Sequence, residues 1–430
     1  MSRTLPFALC AVLALTLCAC PRQQSPGPTS ETARDAPERR LVLKMQPLWG
    51  DPAPFRSLLA EFEKTHGVTV VPEYLPNASD LAHQFYLTAL EGGSRDFDVM
   101  VVDVVWAPEF ARAGWAADLS QHFPPEELSR DFLPGPVEAV LYEGKTWAVP
   151  WFLDVGLLYY RSDLVPRAPR TYAELERFAQ EVRAKDPGLA GYVWQGRQYE
   201  GLNCNVFEAL WGHGGEALDS ESGRLSLQTP QMREALGYLQ RLVSSGVSPP
   251  QVTSYAEEES RRVFQSGRAV FMRNWPYAWA EAQREDSLVR GKVGFAPLPS
   301  IDGRPGAGTL GGWQLAVNGH LSPERKRLAA ELVRHLTSLE ANVVMAVHYG
   351  RNPPRRAAYE DPRLRSEAPF IAGLLPAVEA ARPRPVTPWY MLVTDVLQGE
   401  FSAAVSGIRA PEAALDRAQG LADHLMGADE

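Results

Sequence analysis

Asp98-Val-Met-Val-Val-Asp103 is an apolar run closed at each end by a carboxylate. A strand so nearly apolar throughout is covered on both faces, as in a parallel sheet packed between helices. The residues before it repeat that theme. Leu41 to Gln46 alternates around Lys44 and predicts a strand. Phe55, Leu58, Leu59 and Phe62 fall at i, i+3, i+4 and i+7, one stripe of a helix, and Val68 to Val71 predicts another strand. Ser79 is placed to cap a helix running to Glu91, which Gly92-Gly93 ends. Strand alternating with helix predicts a doubly wound α/β lobe with ligands at the carboxyl ends of its strands. Asp103 stands at such an end, and Asp51 lies in the loop 47–51 that follows the first strand.

From Trp147 the chain crosses into a second lobe. Ala148-Val-Pro-Trp-Phe-Leu-Asp154 leads into a strand over 155–161. Thr171-Tyr-Ala-Glu174 is a capping box opening a helix to about Arg183, and Thr229-Pro230 starts another. Lys292 to Leu298 reads as a strand returning to the first lobe, Leu310 to Val317 as a further strand, and Ser322-Pro323 as the start of a long helix. Helical patterns over 389–405 and 411–426 close the chain. The expected architecture is α/β with two interleaved lobes: 41–149 with 292–349, and 150–291 with 350–430. Two or three crossings between them make a hinge.

Within the second lobe, Phe271-Met-Arg-Asn-Trp-Pro-Tyr-Ala-Trp279 delivers three large aromatics into a turn at the end of a strand. Three rings there do not all face one core. Some are expected to line a cleft, where a ring face meets the C–H face of a sugar while polar neighbours take its hydroxyls. Carboxylates suit that second task, because a hydroxyl donates more strongly to a charged acceptor. Asp51, Asp103 and Asp154 are the candidates.

The first forty residues are read as processing and tether. Arg3 precedes the apolar stretch 5–17, too short to span a bilayer, and Leu17-Cys18-Ala19-Cys20 has the form of a bacterial lipobox. The expectation is a signal peptide over 1–20 with Cys20 lipidated, then a flexible tether over 21–40 rich in Pro, Gln, Ser and Thr. Of the four cysteines, Cys204 alone would remain free in the folded body, which excludes an intrachain disulfide and a thiolate zinc site. The net charge of −9 and the lack of a basic run speak against a nucleic-acid partner.

Other motifs fail on spacing. Gly144-Lys-Thr146 lacks the upstream glycine of a phosphate loop, and Tyr142-Glu-Gly-Lys145 reads as a hairpin turn. Gly306-Ala-Gly-Thr-Leu-Gly311 follows a Pro-rich loop and precedes a strand, the reverse of a dinucleotide site. No histidine pair has metal spacing and no nucleophile elbow occurs, so no cofactor or metal is expected. An Asp pair flanking a glycosidic bond keeps a glycoside hydrolase open as an alternative.

Taken together, these segments resemble the extracellular solute-binding protein family 1, which includes maltose-binding protein. Within it the chain looks closest to the trehalose/maltose-binding lipoproteins of ABC importers. The segments carrying the resemblance are 102–106, 109–110, 113–115, 148–161, 271–279, 310–313 and 382–388. It implies a type II periplasmic-binding-protein fold and no enzymatic activity. It also implies a monomer anchored by lipid outside the cytoplasmic membrane, a disaccharide such as trehalose or maltose as ligand, and a permease as partner. A polyol or other solute on the same fold is a further alternative. Carried over position by position, the ligand contacts would be Asp103, Asp154, Trp275, Tyr277, Gly312 and Trp313, joined by Asp51, Phe152, Trp389 and Arg355.

Overall fold

Five strands of the larger sheet lie in the order Thr69–Tyr74, Arg40–Met45, Val99–Asp103, Leu310–Val317 and Val149–Val155. The first three are parallel, and Leu310–Val317 runs antiparallel to both of its neighbours. Val99 to Val102 are wholly buried, as a strand covered on both faces requires. Helix Ala53–His66 buries Phe55, Leu58, Leu59 and Phe62, and ends at Gly67 with φ 61°, a left-handed position that glycine takes without steric cost. The computed structural model describes residues 40–427 apart from 49, 77–78 and 220–221. The expected signal peptide, Cys20 and the tether up to residue 39 lie outside the described residues.

The smaller sheet has the order Val293–Ala296, Leu157–Arg161, Ala269–Asn274, Ala190–Val193. The stretch expected as one strand over 155–161 continues upstream. Val149–Val155 belongs to the larger sheet and Leu157–Arg161 to the smaller, with Gly156 alone between them. One expectation is corrected here. Val293–Ala296 does not return to the larger sheet but pairs antiparallel with Leu157–Arg161. The physical reason is aromatic: Phe295 packs on Trp279 (5.3 Å) and Phe370 (4.9 Å), so this short edge strand is held beside the aromatic turn.

Segment 350–355 runs along the larger-sheet side. Asn352 bridges Leu153, Arg355 bridges Phe132, and the Leu133 N–H donates to the Pro354 carbonyl. Helices Tyr390–Val405 and Pro411–Gly427 pack instead on Pro230–Ser244 and on each other. Local signals behave as chemistry dictates. Thr171 Oγ1 accepts from the Glu174 N–H, while Glu174 reaches back to the Arg170 N–H rather than to the cap's own. Glu143 and Gly144 both take positive φ in a tight hairpin, the turn predicted there. Cys204 is a buried free thiol, which burial pushes up to about 12.

Gly312 sits where only glycine fits. Its φ is 104°, and a Cβ there would strike the Phe152 carbonyl and lie 2.7 Å from Leu153 Cα. Gly312→Ala is expected to cost about 2 kcal/mol from overpacking and strain. That would lower the thermal unfolding midpoint by several degrees, whereas an unchanged midpoint would show that the two strands part freely.

Candidate ligand-binding site

Register decides which side chains meet. Across the central strand, Trp313 pairs with Asp103 on one side and Phe152 on the other, while Gly311 pairs with Asp154. Residues two apart on a strand share a face, so Phe152 and Asp154 lie together, as do Gly311 and Trp313. A bulge between Trp313 and Gln314 ends this regular stretch. Trp275 arrives from the smaller sheet. A Cβ built on Gly311 would lie 3.2 Å from the edge of its indole and 3.4 Å from Asp154 Cβ. The structure therefore brings together Asp103, Phe152, Asp154, Trp275, Gly312 and Trp313.

The rings are held at their edges. Trp313 meets the buried Trp106 edge to face at 5.8 Å. Trp275 Nε1 donates to Glu257 (3.3 Å), and Tyr277 Oη donates to Glu258 (2.9 Å). Hydrogen bonds from Arg261 keep the Glu258 carboxyl below its usual range, so this acceptor stays charged. Tyr277 opens a short helix two residues beyond Trp275 and is 40% exposed. Trp389 lies under the Arg112 guanidinium at 3.6 Å. That contact joins the start of helix Tyr390–Val405 to the helix that follows Asp103.

Two expected residues do not join this group. Asp51 is exposed, and its carboxylate accepts from the Ala53 N–H (2.9 Å) at the start of the first helix, the ordinary turn use of an aspartate. Arg355 is committed within the larger-sheet side. Its guanidinium donates to the Thr337 carbonyl (2.8 Å) and to Asp131 (3.1 Å), and covers Phe132 at 4.1 Å.

Sequence reasoning missed the cations. Arg384, 5% exposed, donates to Asp103 (3.1 Å) and to Glu200 (2.7 Å), and Glu200 also accepts from Tyr390 Oη (2.5 Å). Arg351 lies over Phe152 at 4.7 Å. Among the described residues neither Arg384 Nε nor Arg351 Nε finds an acceptor. Arg384 falls inside the quoted 382–388 segment, and a buried arginine there would have demanded carboxylate partners. Nothing in the sequence says that Asp103 is one of them.

The carboxylates differ in state. Asp103 also accepts from Ser79 Oγ (3.0 Å) and the Val105 N–H (3.3 Å). Asp154 accepts no hydrogen bond among the described residues. Burial pushes its carboxyl up from 3.8 to about 6; the Arg351 charge opposes the rise and the Asp103 charge adds to it. A partly buried, unpaired carboxylate is an acceptor awaiting a donor. A separate groove of about 490 Å³, lined by Tyr172, Glu176, Arg177, His213, Tyr238 and Arg241, shares none of these residues. Its arginines face glutamates, Arg177 with Glu181 at 3.0 Å and Arg241 with Glu234 at 3.9 Å. The site is thus assigned by convergence of groups rather than by volume.

Fold and site together define a two-lobed binding protein of the type II periplasmic class. Residues 47–343 match the family model described as bacterial extracellular solute-binding protein. The chain is 36% identical over 376 residues to a "Probable ABC transporter-binding protein" of Deinococcus radiodurans, covering 85% of this chain and 88% of that one. It is 25% identical over 365 residues to a mannitol-binding protein of Pseudomonas aeruginosa, covering 77% and 80%. Among solved structures, maltose-bound MalE3 of T. maritima superposes with a TM-score of 0.77 at 38% identity, over 90% of this chain and 99% of that one. The chain belongs to the bacterial extracellular solute-binding protein family. Its relatives are binding proteins and not enzymes, and so is this chain, which sets aside the glycoside hydrolase alternative.

The raised Asp154 carboxyl has two consequences of known sign. Below about pH 6 it is protonated and accepts less strongly, so affinity for a hydroxylated ligand should fall as pH drops from 7 to 5, and Asp154→Asn should flatten that profile. Because the folded state holds the proton more tightly than the unfolded one, the group's contribution to stability is lost as pH rises from about 4 to about 6. Asp154→Asn should therefore raise the unliganded melting temperature at pH 7.5 more than at pH 4. A uniform shift at both would remove this account of Asp154.

Proposed function

We propose that this chain is the sugar-binding lipoprotein of an ABC importer, capturing a disaccharide such as trehalose or maltose between its two lobes. The lobes expected from the sequence are 41–149 with 292–349 and 150–291 with 350–430; in this reading Val293–Ala296, paired with Leu157–Arg161, goes with the second lobe, and Asn352, bridged to Leu153, with the first. Cys20 carries the lipid and the segment up to residue 40 tethers the body outside the cytoplasmic membrane. The observation that carries the reading is the junction itself, where the edge of the Trp275 indole, just past the smaller sheet, lies beside Gly311 and Asp154 of the larger, on the sheet face that Trp313 shares. Rings supply flat apolar faces for a pyranose, and Asp103 and Asp154 accept from its hydroxyls. Kinship with maltose-bound MalE3 of T. maritima supports a maltose-like ligand.

In this reading the ligand favours the closed arrangement because it bridges both lobes, and the permease receives the loaded form. Arg384 and Arg351 offer free N–H donors to ligand oxygens, while Tyr277 and Trp389 border the site and set which sugar fits. A polyol is the second reading, supported by the mannitol-binding relative of P. aeruginosa. A linear polyol offers hydroxyls without a flat pyranose face, so it would depend on the carboxylates more than on the rings.

Calorimetric titration with trehalose, maltose, sucrose, glucosides and mannitol tests this directly. The expected result is binding of a disaccharide at micromolar concentration or tighter. Trp275→Ala and Trp313→Ala should each weaken it by about tenfold, corresponding to ~1.4 kcal/mol of lost ring contact. Preference for mannitol with little effect of either substitution would transfer the assignment to a polyol. Failure to bind any of these ligands would defeat the reading.

A further inference from the structure

The passages between the two sheets lie side by side. The Gly156 N–H donates to the Thr309 carbonyl (3.1 Å), and the Leu310 N–H donates to the Arg382 carbonyl (2.7 Å). Arg382 returns a bond to the Gly308 carbonyl (3.0 Å). Three neighbouring segments at Gly156, Thr309 and Arg382 therefore form a single hinge. A buried ion pair fills the space beside them. Glu208 is 5% exposed and Arg273 is fully buried, with Arg273 Nε donating to the carboxylate at 2.9 Å and Nη2 completing the fork.

That carboxylate has a further partner in the hinge: it accepts the Thr309 N–H at 2.9 Å. A Cβ on Gly156 would strike the same carboxylate and lie 2.6 Å from Arg273 Nη2. The flat side of Arg273 also faces the Trp275 ring, at 4.1 Å from its centroid, while Nη1 donates to Gln195 (3.1 Å). Arginine suits this position because its edge binds a carboxylate bidentately while its face stacks on a ring; lysine does neither. A buried ion pair is a poor stabiliser compared with apolar side chains of similar volume. Its bonds have direction, and here they run from a ring at the cleft to the backbone of the hinge.

We infer that Glu208 and Arg273 are positioning residues that couple the site to the hinge. Arg273 sets the orientation of the Trp275 indole and covers one of its faces, leaving the other for a ligand. Glu208 fixes the Thr309 backbone about which the lobes turn. Neither residue needs to touch the ligand, yet both set its affinity. The coupling rests on the reading of Trp275 as a ligand platform; the pivot at Thr309 does not.

The test compares wild type with Glu208→Gln, which keeps an acceptor for Thr309, with Arg273→Lys, and with the double variant Glu208→Gln/Arg273→Met. The double variant removes both charges at once, so that no lone charge is left buried to prevent folding. Each protein is titrated with whichever sugar of the panel wild type binds. Small-angle scattering with and without that sugar reads closure, and hydrogen exchange at the Thr309 amide is followed in unliganded protein. The folded double variant should bind about tenfold more weakly, compact less on binding, and exchange the Thr309 amide about tenfold faster. Glu208→Gln should fall between it and wild type. Arg273→Lys should lose affinity with its melting temperature nearly unchanged, a split that a purely structural pair would not give. Affinity and Thr309 exchange both within about twofold of wild type in the double variant would overturn the inference. Should wild type bind no sugar, the sugar reading falls, and Thr309 exchange alone decides the pivot: faster upholds it and unchanged overturns it.

Discussion

One strand placed antiparallel between two others governs this molecule. Leu310–Val317 enters the larger sheet late in the chain, between Val99–Asp103 and Val149–Val155. Its register puts Trp313 between Asp103 and Phe152 and sets Gly311 opposite Asp154. A slip of one residue would turn every side chain on the strand to the other face and scatter the group. Gly312 permits the close approach on which that register depends, and Thr309, the residue just before the strand, sits in the hinge. The same short segment is thereby both wall of the site and part of the hinge.

Charge at this junction is arranged unequally. Asp103 is satisfied by Ser79, Val105 and Arg384, and Arg384 extends the contact to Glu200 on the helix Glu200–Gly212. Asp154 has no such company and is costly to ionise where it sits. A folded protein keeps an unpaired carboxylate in a cleft when something else is to supply the donor, and sites built this way reject molecules lacking it. Arg384 and Arg351 present the complementary case at one atom each, since their Nε–H groups find no acceptor among the described residues.

Much of this was legible in the residues. The apolar run ending in Asp103, the helix stripe of Phe55 to Phe62 and the aromatic turn after Ala269 each declared themselves by composition, periodicity or punctuation, because each signal is contained within a few neighbouring residues. What stayed hidden was long-range. Nothing near Val293 says which sheet it will join, since the deciding contacts are Trp279 and Phe370. The arginines were invisible for the same reason: Arg384 acquires meaning only beside Asp103 and Glu200, each more than a hundred and eighty positions away. Asp51 and Arg355 show the converse limit. A residue type suited to a ligand was found at a plausible place, yet the fold gave it a turn or a packing task instead.

The account depends on a ligand lying between Trp275 and the face that bears Asp154 and Trp313. A crystal structure of the protein grown with the sugar it binds most tightly measures this without intermediaries. The account predicts a ring stacked on the uncovered face of Trp275, hydroxyls within hydrogen-bond distance of Asp103 and Asp154, and both lobes in contact with it. Sugar bound in any other groove, or touching one lobe only, would contradict it.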